Sequence, residues 1–291
     1  MPGKLVICPT PLGNLGDMTI RALEALRAAD VVCAEDTRVT GKLLVALGIE
    51  GKRLERFDES LVGKRAAEIV ARVIAGETIA YCSDAGMPGV SDPGLRLVRA
   101  AREAGATVEV LPGPTAVATA YVTSGTTSTN FYFGGFFPRK DAARKQLLDS
   151  LKSLDAALVF YESPNRLVSA LSSISESLPY RDIAVCRELT KLHEEVVRGS
   201  VDEVKKQFES RESIKGEIVL VIDAPNDEEM RAENATASAS AEERAVELLA
   251  QGERPKLVAK IIAEEFGISR NEAYEMVLVK KGQPQSGHQA E

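Results

Sequence analysis

The chain has 291 residues, 44% of them hydrophobic, and a formal net charge of -7. That is enough apolar material for two cores. No run approaches the roughly 18 apolar residues of a membrane span, and MPGKLVIC lacks a signal peptide's long apolar region, so the expected location is the cytoplasm. An acidic total argues against a nucleic-acid partner. However, residues 225–240, residues 241–285 and Glu291 carry -3, -1 and -1 of it, leaving residues 1–224 at -2, where a local basic face has room.

Over residues 1–125, short β-branched runs alternate with helical patterns, which predicts an N-terminal α/β domain of parallel strands joined by crossover helices. KLVIC is the first strand, and DMTIRALEALRAAD follows as a helix with Ile20, Leu23 and Leu26 on one face. DVVCAED is a strand, and TGKLLVALG a helix ended by Gly48. SLVGKRAAEIVARVIAG is helical, ETIAYCSD a strand, LRLVRAAREAG helical, TVEVLPG a strand, and PTAVATAYVTSG a helix entered through proline.

Residues 126–224 predict a second α/β domain. Its strands are FYFGGF, AALVFYES, IAVCREL, EEVVRGS and GEIVLVIDA, and its helices are RKDAARKQLLDSLKS, PNRLVSALSSISESL and VDEVKKQFES. The short turn around Lys191 between IAVCREL and EEVVRGS implies an antiparallel hairpin, hence a mixed sheet. Residues 225–240 are acidic, then small and polar, and predict a flexible linker. Residues 241–285 predict a small helical domain, in which the turn at FGISRNE fits either a helix-turn-helix or a plain three-helix appendage.

Cys8, Cys33, Cys82 and Cys186 lie in apolar strand-like runs without C-x-x-C spacing and are expected to be buried structural thiols. With His193 and His288 the only histidines, no metal site is expected.

Four loops converge on one edge if the first sheet is parallel: PTPLGNLGD, SDAGMPGVSDPG and PGPTA, which are rich in glycine and proline, and the charged EDTR. None has G-x-G-x-x-G or G-K-[ST] spacing. Glu35, Asp36, Asp84 and Asp92 outnumber Arg38 there, the reverse of what a triphosphate requires. The mixture suits a ligand carrying positive charge together with a carboxylate, as S-adenosylmethionine does.

CPTPLGNLGDMTIRAL, CAEDTR, YCSDAGMPGVSDPG and LPGPTAVATA, followed by FYFGGFFPRK, VFYESPNRL, CRELTKLHEEVVRGS and KGEIVLVI, closely resemble the tetrapyrrole methylase superfamily of S-adenosylmethionine-dependent methyltransferases. Within it they are most similar to the ribosomal small subunit methyltransferase I branch, which methylates the ribose 2'-hydroxyl of a cytidine in 16S ribosomal RNA. Tetrapyrrole enzymes usually carry G-x-G-P-G-x-x-x-L-L-T and G-D-P loops, where this chain has TPLGNLGDMT and SDAGMPG. A C-methyltransferase on a precorrin or uroporphyrinogen and a non-catalytic RNA-binding relative remain the alternatives.

The resemblance implies two α/β domains of the tetrapyrrole methylase type with S-adenosylmethionine held between them. It would be held by Pro9, Thr10, Pro11 and Leu12, by Asp84, Ala85, Gly86 and Met87, by Thr115 and Ala116, by Phe133 and Gly134, and by Leu189, Lys215, Gly216 and Glu217. It implies 16S ribosomal RNA or the assembled small subunit as partner, and a homodimer. The acceptor side is expected to hold Asp36, Arg38, Glu162 and Lys191; Glu35 joins Asp36, Glu162 and Lys191 as candidates for accepting the hydroxyl proton. Asn165 and Arg166 of YESPNR are placed to grip ribose or phosphate, although Glu162 and Arg166 at i,i+4 can simply pair. Basic clusters at Lys42, Lys52, Arg53, Arg56, Arg139, Lys140, Arg144 and Lys145 are candidate phosphate contacts, extended by Arg254, Lys256, Lys260, Arg270, Lys280 and Lys281.

Overall fold

The computed structural model describes residues 3–282. Residues 3–224 form one compact unit and residues 225–282 belong to another.

The first sheet is built from β1 (Leu5–Ile7), β2 (Val31–Ala34), β3 (Arg53–Arg56), β4 (Ile79–Cys82) and β5 (Val108–Val110). The crossover helices are α1 (Ile20–Ala28), α2 (Thr37–Ala46), α3 (Val62–Ile74) and α4 (Gly94–Glu103). All its pairings are parallel, in the order β3-β2-β4-β1-β5. Strand side chains alternate between two helical layers. Leu5, Ile7, Val31, Ile79 and Tyr81 pack with residues of α3 and α4, whereas Val6, Cys8, Val32, Ala80 and Cys82 pack with residues of α1 and α2. Chain leaving β1 and chain leaving β4 therefore diverge to opposite faces although the two strands are neighbours. That divergence opens a crevice at their carboxyl ends, the place where open α/β sheets bind ligands.

α5 (Ala116–Thr123) leads into the second sheet, made of β6 (Phe131–Phe136), β7 (Ala157–Glu162), β8 (Asp182–Arg187), β9 (Glu195–Ser200) and β10 (Ile218–Ile222). Its other helices are α6 (Asp141–Leu151), α7 (Leu167–Ser177) and α8 (Val201–Glu209). The order is β6-β7-β10-β8-β9; β6 runs parallel to β7 and the remaining pairs are antiparallel. The mixed sheet and the β8–β9 hairpin are as expected from the sequence.

Four features differ from the sequence reading. β3, with the sequence RLER, had no apolar signal: it is an edge strand whose Glu55 is held by Arg53, Arg65 and Arg72. Ile20 is 75% exposed; the buried face of α1 is Ala22 and Leu26, because Thr19 caps the helix by accepting from the Ala22 N–H. α5, assigned to residues 1–125, packs instead on the second sheet, where Val117 and Ala120 meet Ala157, Val159, Ala184 and Val221. The expected linker 225–240 is helical within α9 (Asp227–Ala250), started by Asn226 accepting from the Glu229 N–H and by three acids in the first turn.

α10 (Pro255–Phe266) and α11 (Arg270–Gly282) complete the second unit around a core of Ala241, Ala245, Val258, Ile262, Ala273 and Val277. Gly267, at φ 66°, ends α10 in the left-handed conformation that a side chain would resist. The expected domain end at 285, His288 and the side chain of Lys281 lie outside the described residues.

Candidate active site

At the crevice, the loop after β1 and the loop after β4 are tied together by backbone. Thr10 N–H donates to Gly86 O at 2.9 Å, and Gly86 N–H donates back to Thr10 O at 3.0 Å. Thr10 is buried, and its hydroxyl donates to Ser83 O. Gly86 has φ 78°, and a Cβ there would stand 3.0 Å from Leu12 Cδ2. Glycine suits the positive φ of this turn, and a side chain there would press on Leu12. The Asp92 carboxylate holds the far end of the loop, accepting from the N–H groups of Gly89 and Gly94.

The opposite wall comes from the second sheet. Leu189 sits between Glu188 and Thr190, whose φ values of 53° and 66° are in the left-handed region, a strain kept where surrounding structure overdetermines it. Glu188 N–H donates to Glu217 O, and Glu217 N–H donates to Glu188 Oε1, each at 2.9 Å. Gly216, at φ 93°, allows that approach, since a Cβ would stand 2.5 Å from the Glu188 side chain.

Between these walls lies a cavity of about 430 Å³, the size range of small-molecule sites. Of the predicted residues, Leu12, Asp84, Ala85, Gly86 and Met87 line it from the first sheet. Thr115 and Ala116 line it at the start of α5, and Glu162, Leu189, Gly216 and Glu217 line it from the second sheet. Pro9, Thr10, Pro11, Phe133, Gly134 and Lys215 do not reach the wall, and some of them shape it from behind. Pro9 is packed so closely on Gly113 that a Cβ there would stand 2.3 Å from its ring. Phe133 stacks edge-on against Tyr161, a wall residue, at 5.0 Å. Gly134 leaves room for Phe160.

Phe136, Tyr161, Ser163, Cys186, Ile218 and Val219 also line the cavity and were missed. Their strands read as core, and only the sheet geometry shows which strand ends stop at the crevice. Glu35, Ser83 and Asp92 join the wall as well; the acidity of this edge was the legible signal for Glu35 and Asp92.

Glu35 is pushed above the usual carboxylate range by burial, reinforced by the neighbouring charges of Asp84, Asp92 and Asp58. Burial also raises Asp84, against the hydrogen bond it accepts from the Asp36 N–H at 3.0 Å. Asp36 caps α2 and is held well below the usual range by hydrogen bonds from the Arg38 guanidinium and amide, so it is a poor proton acceptor. Lys191 Nζ lies 2.9 Å from both Glu188 Oε1 and Glu217 Oε2. Burial pulls its ammonium down, but the two carboxylates outweigh that and keep it above its ordinary value. In this structure Asp36 caps α2, and the Lys191 ammonium bridges Glu188 and Glu217.

Glu162 is buried between two guanidinium groups. Its Oε1 accepts from Arg166 Nη2 at 2.6 Å and from the Ser163 N–H, while Oε2 faces Arg144 Nη2 at 3.7 Å. Arg144, expected at a basic surface, is 1% exposed and also donates to Pro138 O and Ser169 Oγ. Other expected phosphate contacts are already engaged: Lys52 donates to Arg27 O and Ala29 O, Arg53 pairs with Glu55 and Arg56 with Asp58, and Lys145 bridges Asp141 and Glu176. Asn165, Arg139 and Lys140 are exposed. Among the described residues, Arg139 and Lys140 have no ion-pair partner.

The family of Tetrapyrrole (Corrin/Porphyrin) Methylases matches residues 4–205. The "Ribosomal RNA small subunit methyltransferase I" of Thermotoga maritima is 45% identical over 220 residues, covering 76% of this chain and 98% of that protein. The protein of the same name from Micromonospora olivasterospora is 38% identical over 275 residues, covering 94% and 86%. The crystal structure of diphthine synthase superposes with a TM-score of 0.60 at 15% identity, covering 76% of this chain and 90% of that one.

Proposed function

The chain belongs to the tetrapyrrole (corrin/porphyrin) methylases and, within them, to the ribosomal RNA small subunit methyltransferase I family, and from that premise we propose that it methylates the ribose 2'-hydroxyl of a cytidine in 16S ribosomal RNA. The cavity with its acidic, glycine-shaped wall is the observation that carries this conclusion. S-adenosylmethionine, when bound, supplies an electrophilic methyl group on a sulfonium centre.

The residues fit that cofactor. Asp84, Asp92 and Glu35 offer negative potential for an ammonium and a sulfonium, and the first amides of α5 at Thr115 and Ala116 suit a carboxylate. Gly86 and Gly216 line the cavity and adopt the positive φ that brings their loops against Leu12 and Glu188. The cavity needs no P-loop lysine because this ligand has no phosphate.

Holding the acceptor oxygen near attack distance supplies much of the acceleration in such a displacement. The hydroxyl must also give up its proton. Of the four acceptors weighed from sequence, Asp36 is locked by Arg38, Lys191 is an ammonium and Glu162 is enclosed by guanidinium groups. Glu35 lines the cavity and has the raised basicity the task requires. We assign it as the proton acceptor.

No helix among the described residues is long and apolar enough to cross a membrane; the family reading further implies a cytoplasmic homodimer. Labelled S-adenosylmethionine, incubated with the protein and either small subunits or free 16S RNA from a strain lacking the modification, is expected to mark a cytidine ribose. Label on a tetrapyrrole, with none on ribose, overturns the proposal.

A further inference from the structure

Phe136 is 60% exposed, although it ends β6 and lines the cavity. Its place is fixed from three sides. The β6–β7 register shifts between Phe133 and Phe136, and Gly135 turns the backbone at φ 71°. The next residue, Phe137, is buried and donates its N–H to Tyr161 O at 2.9 Å. The Phe136 ring stands edge-on to Tyr161, with centroids 5.4 Å apart and planes at 65°. An aromatic ring is thus held at the cavity mouth with most of its surface in water.

Further along the chain, Arg139 and Lys140 are exposed and have no ion-pair partner among the described residues. An exposed aromatic ring with two uncommitted cations three and four residues further on matches the requirements of an unstacked nucleotide: a face for the base and positive charge for the backbone. A second copy of the chain fits less well, because an isologous contact centred on Phe136 would bring Arg139 and Lys140 of both copies together.

We propose that Phe136 is the stacking platform for the splayed-out base at or beside the methylated nucleotide, with Arg139 and Lys140 taking the adjoining phosphates. This rests on the RNA reading above and adds to it the device that positions the substrate. Phe136→Ala is expected to raise KM for small subunits about 5- to 100-fold, a larger change than in the calorimetric Kd for S-adenosylmethionine, whose cavity the ring borders only at its mouth. Phe136→Trp retains kcat/KM, because a larger ring stacks at least as well.

The chain has no tryptophan, so Phe136→Trp also installs a single fluorophore. Its emission is expected to be quenched by a cytidine-containing single-stranded oligoribonucleotide. An unchanged KM in Phe136→Ala, or a weakened cofactor Kd that transfers the ring to the cofactor, overturns the proposal. So does a dimer that falls to monomer by light scattering while KM holds. Should Phe136→Ala fail to fold, the quenching decides alone. Wild-type protein that labels no ribosomal RNA defeats the functional reading instead, and the quenching measurement still settles whether Phe136 stacks a base.

Discussion

Gly13 and Lys191 approach so closely that a Cβ at Gly13 would stand 2.2 Å from Lys191 Cγ. The glycine-rich loop after β1 is therefore shaped around a side chain from the β8–β9 loop, and the same lysine carries its ammonium to Glu188 and Glu217. Gly13→Ala is expected to push the lysine stem aside, costing about 1–3 kcal/mol by overpacking and lowering the melting temperature by roughly 2–10 °C. Calorimetry should show weaker cofactor binding, because Gly216 and Glu217 shift with the bridge. Unchanged melting and affinity would show that the contact is slack.

Glu35 as proton acceptor gives a definite pH dependence. The residue works only when deprotonated, so kcat/KM falls as pH drops through its pKa, which burial and the Asp84 and Asp92 charges place above the ordinary carboxylate value. Glu35→Gln should abolish that limb and lower the rate by about 10²-fold or more. Asp84→Asn removes one of the repelling charges and should move the limb to lower pH. A Glu35→Gln enzyme with the wild-type profile would eliminate Glu35 as the base.

Arg144 is a buried cation whose loss strands a buried carboxylate. Arg144→Met is expected to cost about 3–5 kcal/mol in urea unfolding, because Glu162 keeps only Arg166. Adding Glu162→Gln should recover part of that loss, since the uncompensated charge goes with it. A double variant as unstable as the sum of its parts would show that the two residues act separately.

Glu195 governs part of the acid response. Hydrogen bonds from Arg211, assisted by Arg187, hold its carboxyl down to about 2 even against burial. A depressed folded-state pKa stabilises above the unfolded value of about 4.3 and loses that contribution as pH falls through the folded one. Glu195→Gln should therefore be less stable than wild type above about pH 5, with the difference shrinking as pH falls and vanishing only below about pH 2. A gap that does not shrink between pH 5 and pH 2 would assign the loss to packing.

Most of the strands were legible because a β-branched run such as VVCA or IVLVI is buried on both faces and admits few other structures. RLER was not, since an edge strand tolerates charge on both sides and its pairing with β2 is decided by sheet order. The stretch taken as a linker is helical because alanine and glutamate favour helix once Asn226 supplies a cap. Small polar composition alone does not distinguish such a helix from a flexible chain.

For the site, the sequence by itself determined which loops would meet. Glycine, proline and acid clustered at the ends of parallel strands, and the crevice between β1 and β4 then follows from topology. Only the tertiary structure decided what each charge does there. Asp36, Lys191 and Arg144 look like free chemistry in one dimension, and each is committed in three: to a helix cap, to an ammonium bridge and to a buried carboxylate. Phe136 shows the converse, for it reads as an ordinary strand residue until a bulge turns it out to the cavity mouth. A side chain's type is written in the chain, but the partners that fix its charge and exposure come from segments distant in sequence, and only folding brings them within a few ångströms.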